Sequence, residues 1–369
     1  MRKMNCINRN EFMRTMGRAG LGLMAGHSFL RSDAAQAAGP GDRIKIGQIG
    51  TLHPHAEDKA ATLRELTDHY EFVGIVEHDA DRRKAVENSD TYKGLRWMTE
   101  EQLLNVTGLR AVAVETAVED LLPTAARCVA AGMHLHLDKP AGDSLSAFKR
   151  LLGDAARRNL AVQMGYMLRY NPAFKFCFKA VHEGSLGDIF EVHAVMSKTM
   201  PRDRREEFAR FSGGSMFDLG GHLVDAVVTV LGKPHRVTPY IRRTRPEQDD
   251  LADNTLAVFE YAEATATIRS AMVEVEGQRR RQFVVCGDRG TVEIRPIEPP
   301  HLRLTLAEPQ GEYEKGYQEV ELPDAPSRYD DQLIELARLI RGEKEPEYSR
   351  AHDLAVQESL LRACEMPLR

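Results

Sequence analysis

Paired cysteine is missing from this chain of 369 residues. Its five cysteines (Cys6, Cys128, Cys177, Cys286 and Cys364) are scattered without paired spacing, and they support neither a disulfide framework nor a zinc site. Aromatic residues make up only 7% and tryptophan occurs once. No apolar run approaches the roughly 20 residues needed to cross a bilayer, which argues against membrane insertion. Neither sign of charge dominates. The chain carries a formal −5, and the body after residue 42 carries −8, so electrostatics give no reason to expect nucleic acid or an anionic membrane as partner. The short run Arg279-Arg280-Arg281 flanks a predicted strand and reads as a solvated edge. Low-complexity tracts and internal repeats are absent too. What is present is 42% apolar and 28% charged residues, over a length too great for one ordinary core. That is the make-up of a folded protein of two domains.

The first 37 residues read differently from the rest. Basic residues and Asn8-Arg9-Asn10-Glu11-Phe12 precede a Gly/Ala/Leu/Met stretch from Met16 to Leu30. Ala35-Gln36-Ala37 then offers small residues at the spacing of a signal-peptidase site. The segment resembles a twin-arginine export leader, with Asn10 in place of the second arginine and Arg18 and His27 inside its apolar part. It implies a periplasmic or exported protein; a cytoplasmic chain with an extended N-terminus is the alternative.

From residue 43 to 163 apolar strands alternate with amphipathic helices. The strands are Arg43 to Gly50, Phe72 to Val76, Ala111 to Val114, Met133 to Leu137 and Leu160 to Met164. Helices are expected from Pro54 to Tyr70, from Glu119 to Ala131, and up to Asp154. Continuous apolar strands with helices between them predict an α/β Rossmann domain. It would be a doubly wound parallel sheet that binds its ligand beyond the carboxyl ends of the strands. The turn Gly50-Thr51-Leu52 keeps only the first glycine of G-x-G-x-x-G, with Leu52 at the second and His55 at the third. Glu77 falls at the tip of the second strand, where a carboxylate accepts from ribose hydroxyls and repels a 2′-phosphate. NAD is therefore favoured over NADP.

After residue 185 the period changes. Alternating strands are expected at Asp188–Met196, Thr255–Tyr261, Thr265–Val275 and Gln282–Ile294, the last with a turn at Asp288-Arg289-Gly290. Two helices, Tyr329–Ile340 and Ala351–Cys364, close the chain. Residues 164–369 thus read as an α+β domain with an open, mostly antiparallel sheet.

Three stretches could carry chemistry. Asp138-Lys139-Pro140 follows a parallel strand at the ligand edge, where a lysine can donate to a substrate hydroxyl; a solvated loop lysine is the alternative. Gly213 to Asp225, read as a helix, places Asp218, His222 and Asp225 at i, i+4 and i+7 on one face. His222 suits proton transfer near neutrality. Gly220 and Gly221 inside that helix each cost up to about 1 kcal/mol relative to alanine, which calls for a close approach by a ligand or another backbone. The same three side chains could instead ligate a metal or satisfy one another as a buried cluster, though zinc prefers more nitrogen or sulfur. Tyr166 and Arg169 fall at the junction of the domains and either line the cleft or serve the structure. Lys198, at the end of a strand, is a further cleft residue.

Taken in order, Asp138-Lys139-Pro140, Arg169-Tyr170-Asn171-Pro172-Ala173, Asp218-x-Gly220-x-His222-x-x-Asp225 and Gly287-Asp288-Arg289-Gly290-Thr291 resemble the Gfo/Idh/MocA family of glucose-fructose oxidoreductases and inositol dehydrogenases. The resemblance runs from about Arg43 to the end. It implies NAD(P), hydride transfer at a carbinol carbon of a sugar or polyol, and homo-oligomers formed through the second domain's sheet. Carried onto this sequence, it makes Lys139, Asp218 and His222 catalytic. His222 is the base on the hydroxyl proton, Lys139 polarises that oxygen, and Asp218 positions substrate or ring. Glu77 and Thr116 match cofactor contacts, with Gly50, Thr51, Leu52 and Asp138 beside them; Tyr166, Arg169, Asp225 and Lys198 are expected at the substrate. No metal is implied. A redox-neutral NAD-dependent glycosidase and a noncatalytic sugar-binding homologue are the competing expectations.

Overall fold

Ile44–Ile49 buries every side chain except the half-buried Lys45, as a strand covered by helices on both faces must. It is β1 of a computed structural model that describes residues 43–323 and 327–369. The export leader expected over residues 1–37 lies outside the described residues. The first domain continues through α1 (Ala56–Glu65), β2 (Tyr70–Val76), α2 (Ala80–Val86), β3 (Trp97–Met98), α3 (Glu100–Leu104), β4 (Leu109–Val114), α4 (Val118–Ala130), β5 (His134–Leu137), α5 (Leu145–Arg157) and β6 (Val162–Met164). Its six strands are all parallel, in the order β3-β2-β1-β4-β5-β6. The order reverses between β1 and β4, so the carboxyl ends of β1, β4 and β5 open on one crevice. The sequence expectation of a helix from Pro54 shortens at both ends. His55 stands at the N-cap position without capping, because its ring is engaged elsewhere.

The second domain follows through a 3₁₀ turn (Met167–Tyr170) and α6 (Pro172–His182), which starts on the Asn171 cap and Pro172 as the sequence predicts. Then come β7 (Ile189–Ser197), α7 (Arg202–Ala209), a π-helical turn (Met216–Gly220), α8 (Gly221–Leu231), β8 (Arg236–Arg242), β9 (Asn254–Glu260) and β10 (Thr265–Ala271). The sheet is completed by β11 (Gln282–Gly287), β12 (Gly290–Ile294), β13 (Leu302–Leu306) and β14 (Gly316–Val320). The eight strands run β14-β13-β12-β11-β7-β10-β9-β8, antiparallel throughout except for the β7–β10 pair. Phe174 stacks on Phe283 at 5.0 Å and anchors α6 to the sheet.

The last two helices part company. α9 (Asp330–Arg341) returns to the first sheet: Leu333, Leu336, Ala337 and Ile340, at helical spacing, close over Ile44, Ile46, Ala111 and Ala113. Tyr70 Oη donates to the carbonyl of Leu333 at 2.6 Å, and Arg110 donates to that of Ile340 at 3.0 Å. α10 (Arg350–Ala363) packs on α8 and α5. A single cut at residue 163 therefore leaves α9 with the second domain, although it covers the first. Of the three arginines 279–281, only Arg281 turns inward, donating to the Ser197 carbonyl at 3.3 Å and facing Glu298 at 3.4 Å; it is no part of a solvated edge.

Candidate active site

Gly50 ends β1 at φ +93°, and a Cβ there would lie 2.6 Å from the backbone of Glu115 and Thr116. Only glycine permits this turn, which brings Thr51 to the tip of β2. Glu77 Oε2 accepts from Thr51 N at 2.9 Å and from Thr51 Oγ1 at 2.7 Å, while Arg82 donates to the Thr51 carbonyl at 2.7 Å. Leu52 is 42% exposed and points to the rim rather than into the turn. A crevice of about 610 Å³ runs from Thr51, Leu52 and Glu57 past Arg82 and Asp120 to Phe208 on α7.

The residues fit a dinucleotide. The tight glycine turn is kept, a carboxylate stands at the tip of β2, and the start of the ten-residue α1 borders the crevice through Pro54 and Glu57. Glu57 and Asp58 in that first turn oppose an anion, and Arg82 beside them offsets part of the repulsion.

Beneath the turn lies a polar cluster that the motif reading did not find. Both His53 and His55 turn toward Asp138: His53 Nδ1 is 2.7 Å and His55 Nδ1 3.3 Å from Asp138 Oδ2. Lys59, one turn into α1 and fully buried, donates to Asp138 Oδ2 at 2.6 Å and to Glu115 Oε1 at 3.0 Å. Gly165 makes room for this, since a Cβ there would sit 2.5 Å from Asp138 Oδ1. Burial would raise the Asp138 carboxyl, but His53, Lys59 and His55 hold it well below its ordinary value. Burial and the neighbouring Asp138 push Glu115 well above its own. One negative charge therefore stays on Asp138, and although burial opposes it, the Lys59 ammonium beside that charge is held protonated. The legible signal for this cluster was His-x-His directly after a strand, with a lysine on the apolar face of the next helix.

Asp138 in turn orders Lys139. Its Oδ1 accepts from Lys139 N at 2.7 Å, and His53 Nε2 donates to the Lys139 carbonyl at 2.9 Å. The Lys139 ammonium crosses to the second domain, donating to the Asp218 carbonyl at 3.0 Å and to Asp218 Oδ1 at 3.3 Å. Lys198 reaches Asp218 Oδ2 at 3.3 Å. Burial opposes the charge on Asp218, but the two ammonium groups hold its carboxyl well below the usual range. His222 stands alongside. Its ring lies 5.8 Å from that of His55 and 6.2 Å, edge-on, from that of Tyr166. Its Nδ1 is buried without a partner, so Nε2 is the nitrogen that can meet a substrate. Burial, the Lys139 ammonium and His55 push the His222 pKa well down, so the ring is a neutral base.

Asp225 does not join this group. Because Met216–Gly220 is π-helical, the run is not one regular helix. Asp225 meets Arg169 through three contacts, the shortest 2.6 Å, and Arg169 also donates to Asp353 at 2.7 Å while stacking on Tyr348 at 3.9 Å. Expected at the substrate, the pair is instead buried at the domain junction, its bonds directed to each other. Asp218, His222 and Asp225 accordingly form no common metal set. Packing explains one of the helix glycines: a Cβ on Gly220 would lie 2.4 Å from Met216 Sδ, whereas one on Gly221 would make an ordinary 3.4 Å contact with Leu360.

Several buried histidines stay neutral when folded: burial takes His55 and His136 down to about 3 and His134 to about 4, with His222 also low. In the unfolded chain they take protons near pH 6.5. Below that pH the unfolded state binds more protons, so stability falls as pH drops from about 6.5 toward 4, by up to about 1.4 kcal/mol per pH unit for each ring. Urea unfolding at pH 7 and pH 5 should show a clearly lower midpoint at pH 5; equal midpoints would refute the assignment of neutral buried imidazoles.

Residues 44–166 match the model of the oxidoreductase family with an NAD-binding Rossmann fold, and residues 175–293 match the GFO/IDH/MocA C-terminal domain. YdgJ of Escherichia coli, an uncharacterized oxidoreductase, is 25% identical over 279 residues, 75% of this chain and 78% of that one. The scyllo-inositol 2-dehydrogenase (NADP(+)) IolW of Bacillus subtilis is 24% identical over 182 residues, 48% of this chain and 51% of its own length. Among solved structures, the aldose-aldose oxidoreductase of Caulobacter crescentus aligns with a TM-score of 0.73 at 20% identity, covering 88% of this chain and 98% of that one. At that identity the likeness shows the fold.

Proposed function

As the chain belongs to the Gfo/Idh/MocA family of oxidoreductases, we propose that it moves a hydride between NAD and a carbinol carbon of a sugar, polyol or sugar derivative. The observation that carries this reading is the contact of the Lys139 ammonium, from the first domain, with Asp218 of the second, close enough to the His222 ring to act on its charge. The nicotinamide supplies the hydride acceptor or donor when bound. His222 takes the hydroxyl proton, as a neutral buried imidazole can. Lys139 donates to the same oxygen and steadies the charge that grows there. Asp218 fixes that ammonium and Lys198 in place. Glu77 supports NAD over NADP, since a carboxylate repels a 2′-phosphate. Tyr166 packs its edge on His222 and sets the ring plane. The same reading includes a homo-oligomer formed through the eight-stranded sheet, where Phe190, Tyr240 and Tyr317 are exposed, and export by the N-terminal leader.

Calorimetry with NADH and NADPH tests the cofactor. NADH should bind more tightly, and Glu77→Ala should weaken NADH by about 10–100-fold, the worth of a charge-assisted hydrogen-bond set. Equal affinities in wild type, or an indifferent variant, would remove Glu77 from the ribose site. Turnover is tested with a panel of sugars and polyols followed by NADH formation. Release of aglycone from glycosides without added nucleotide would point to redox-neutral chemistry instead.

A further inference from the structure

We propose that His53, His55 and Asp138 bind one divalent first-row transition ion of the zinc or iron class at the floor of the cleft, beside Lys139. The proposal concerns binding and is independent of the nucleotide reading. Both rings turn their Nδ1 atoms to the same carboxylate oxygen, at 2.7 and 3.3 Å, and the three ligand atoms lie within 4.8 Å of one another. Such ions bond imidazole nitrogen and carboxylate oxygen at about 2.0–2.2 Å, which places neighbouring ligands about 3 Å apart.

The tautomer of His53 sharpens the case. A carbonyl can only accept, so the 2.9 Å contact of His53 Nε2 with the Lys139 carbonyl puts a proton on Nε2. In the neutral ring Nδ1 then carries a lone pair, 2.7 Å from an oxygen that also carries one. That lone pair accepts from the His55 amide at 3.3 Å, and a second proton or a metal ion beside Asp138 would relieve the contact that remains. Donation of the distal N–H to a backbone carbonyl is the usual support of a metal-bound histidine. Glu115, fully buried with Oε2 3.8 Å from His53 Nδ1, borders the cluster without a place among its ligands. Lys59 is the competing cation on Asp138 Oδ2, but it also holds Glu115 Oε1 at 3.0 Å and can keep that bond with an ion in place. Two nitrogens and one carboxylate suit zinc or iron rather than magnesium or calcium. Three protein ligands leave a position open.

The full chain, purified without chelator or added metal, should contain about one equivalent of transition metal by plasma mass spectrometry. After chelation, ZnCl₂ should bind once per chain in calorimetry and raise the melting temperature. His55→Asn, at the rim of the cluster, should weaken zinc at least about 100-fold. No zinc uptake by the chelated wild type, or equal uptake by His55→Asn, would overturn the site and leave a proton between His53 and Asp138. Zinc binding in a protein that fails to bind NADH would sink the nucleotide reading and leave this one standing.

Discussion

Replacing His222 with asparagine lowers turnover by roughly 10²–10⁴-fold and leaves nucleotide affinity nearly unchanged. The fold should tolerate the change, because His222 Nδ1 has no partner to lose and its ring only packs against those of His55 and Tyr166. What disappears is a neutral base. Burial and the adjacent ammonium keep the imidazole unprotonated, so the acid limb of the wild-type profile for oxidation should lie below the pH 6.5 of a free histidine. The comparison is made on wild type and variant at saturating nucleotide, with unfolding curves to confirm equal stability. A variant with wild-type rate would take His222 out of the mechanism. A variant with lost nucleotide binding would make it a cofactor residue.

Lys59→Met has the largest expected effect on stability. It removes the ammonium between Asp138 and Glu115, both fully buried, and leaves Asp138 charged with His53, His55 and the Lys139 amide as its remaining support. Removing one partner of a buried ion pair costs about 3–5 kcal/mol, because the abandoned charge keeps its desolvation penalty. Urea unfolding in the presence of chelator reads this directly. The double variant Lys59→Met/Asp138→Asn should recover part of the loss, since it removes the stranded charge as well. Single and double variants of equal, unchanged stability would show that the lysine contributes no net stability.

The two predictions draw on layers of unequal legibility. Alternation of apolar strands and helices over residues 43–163 was enough for five strands of the parallel sheet, because side-chain period follows directly from backbone geometry; the two-residue edge strand β3 is too short to show a period. The change of period after residue 185 was enough for the mostly antiparallel sheet, and Asn171-Pro172 for the start of α6. Lys139, Asp218 and His222 were legible because short motifs fix chemistry to known places in a chain. Leu52 was misleading: its side chain leaves the turn, a direction that residue type does not encode.

Sequence alone determined the class of the fold, the order of its parts and the three side chains proposed for catalysis, since each is written in local pattern. Only the tertiary structure decided that Arg169 and Asp225 satisfy each other, that α9 returns to cover the first sheet, and that His53, His55 and Lys59 converge on Asp138. Such partnerships join residues tens to hundreds of positions apart. A buried charge finds its counter-charge wherever the packed layers bring one within reach, and spacing along the chain carries no record of that distance.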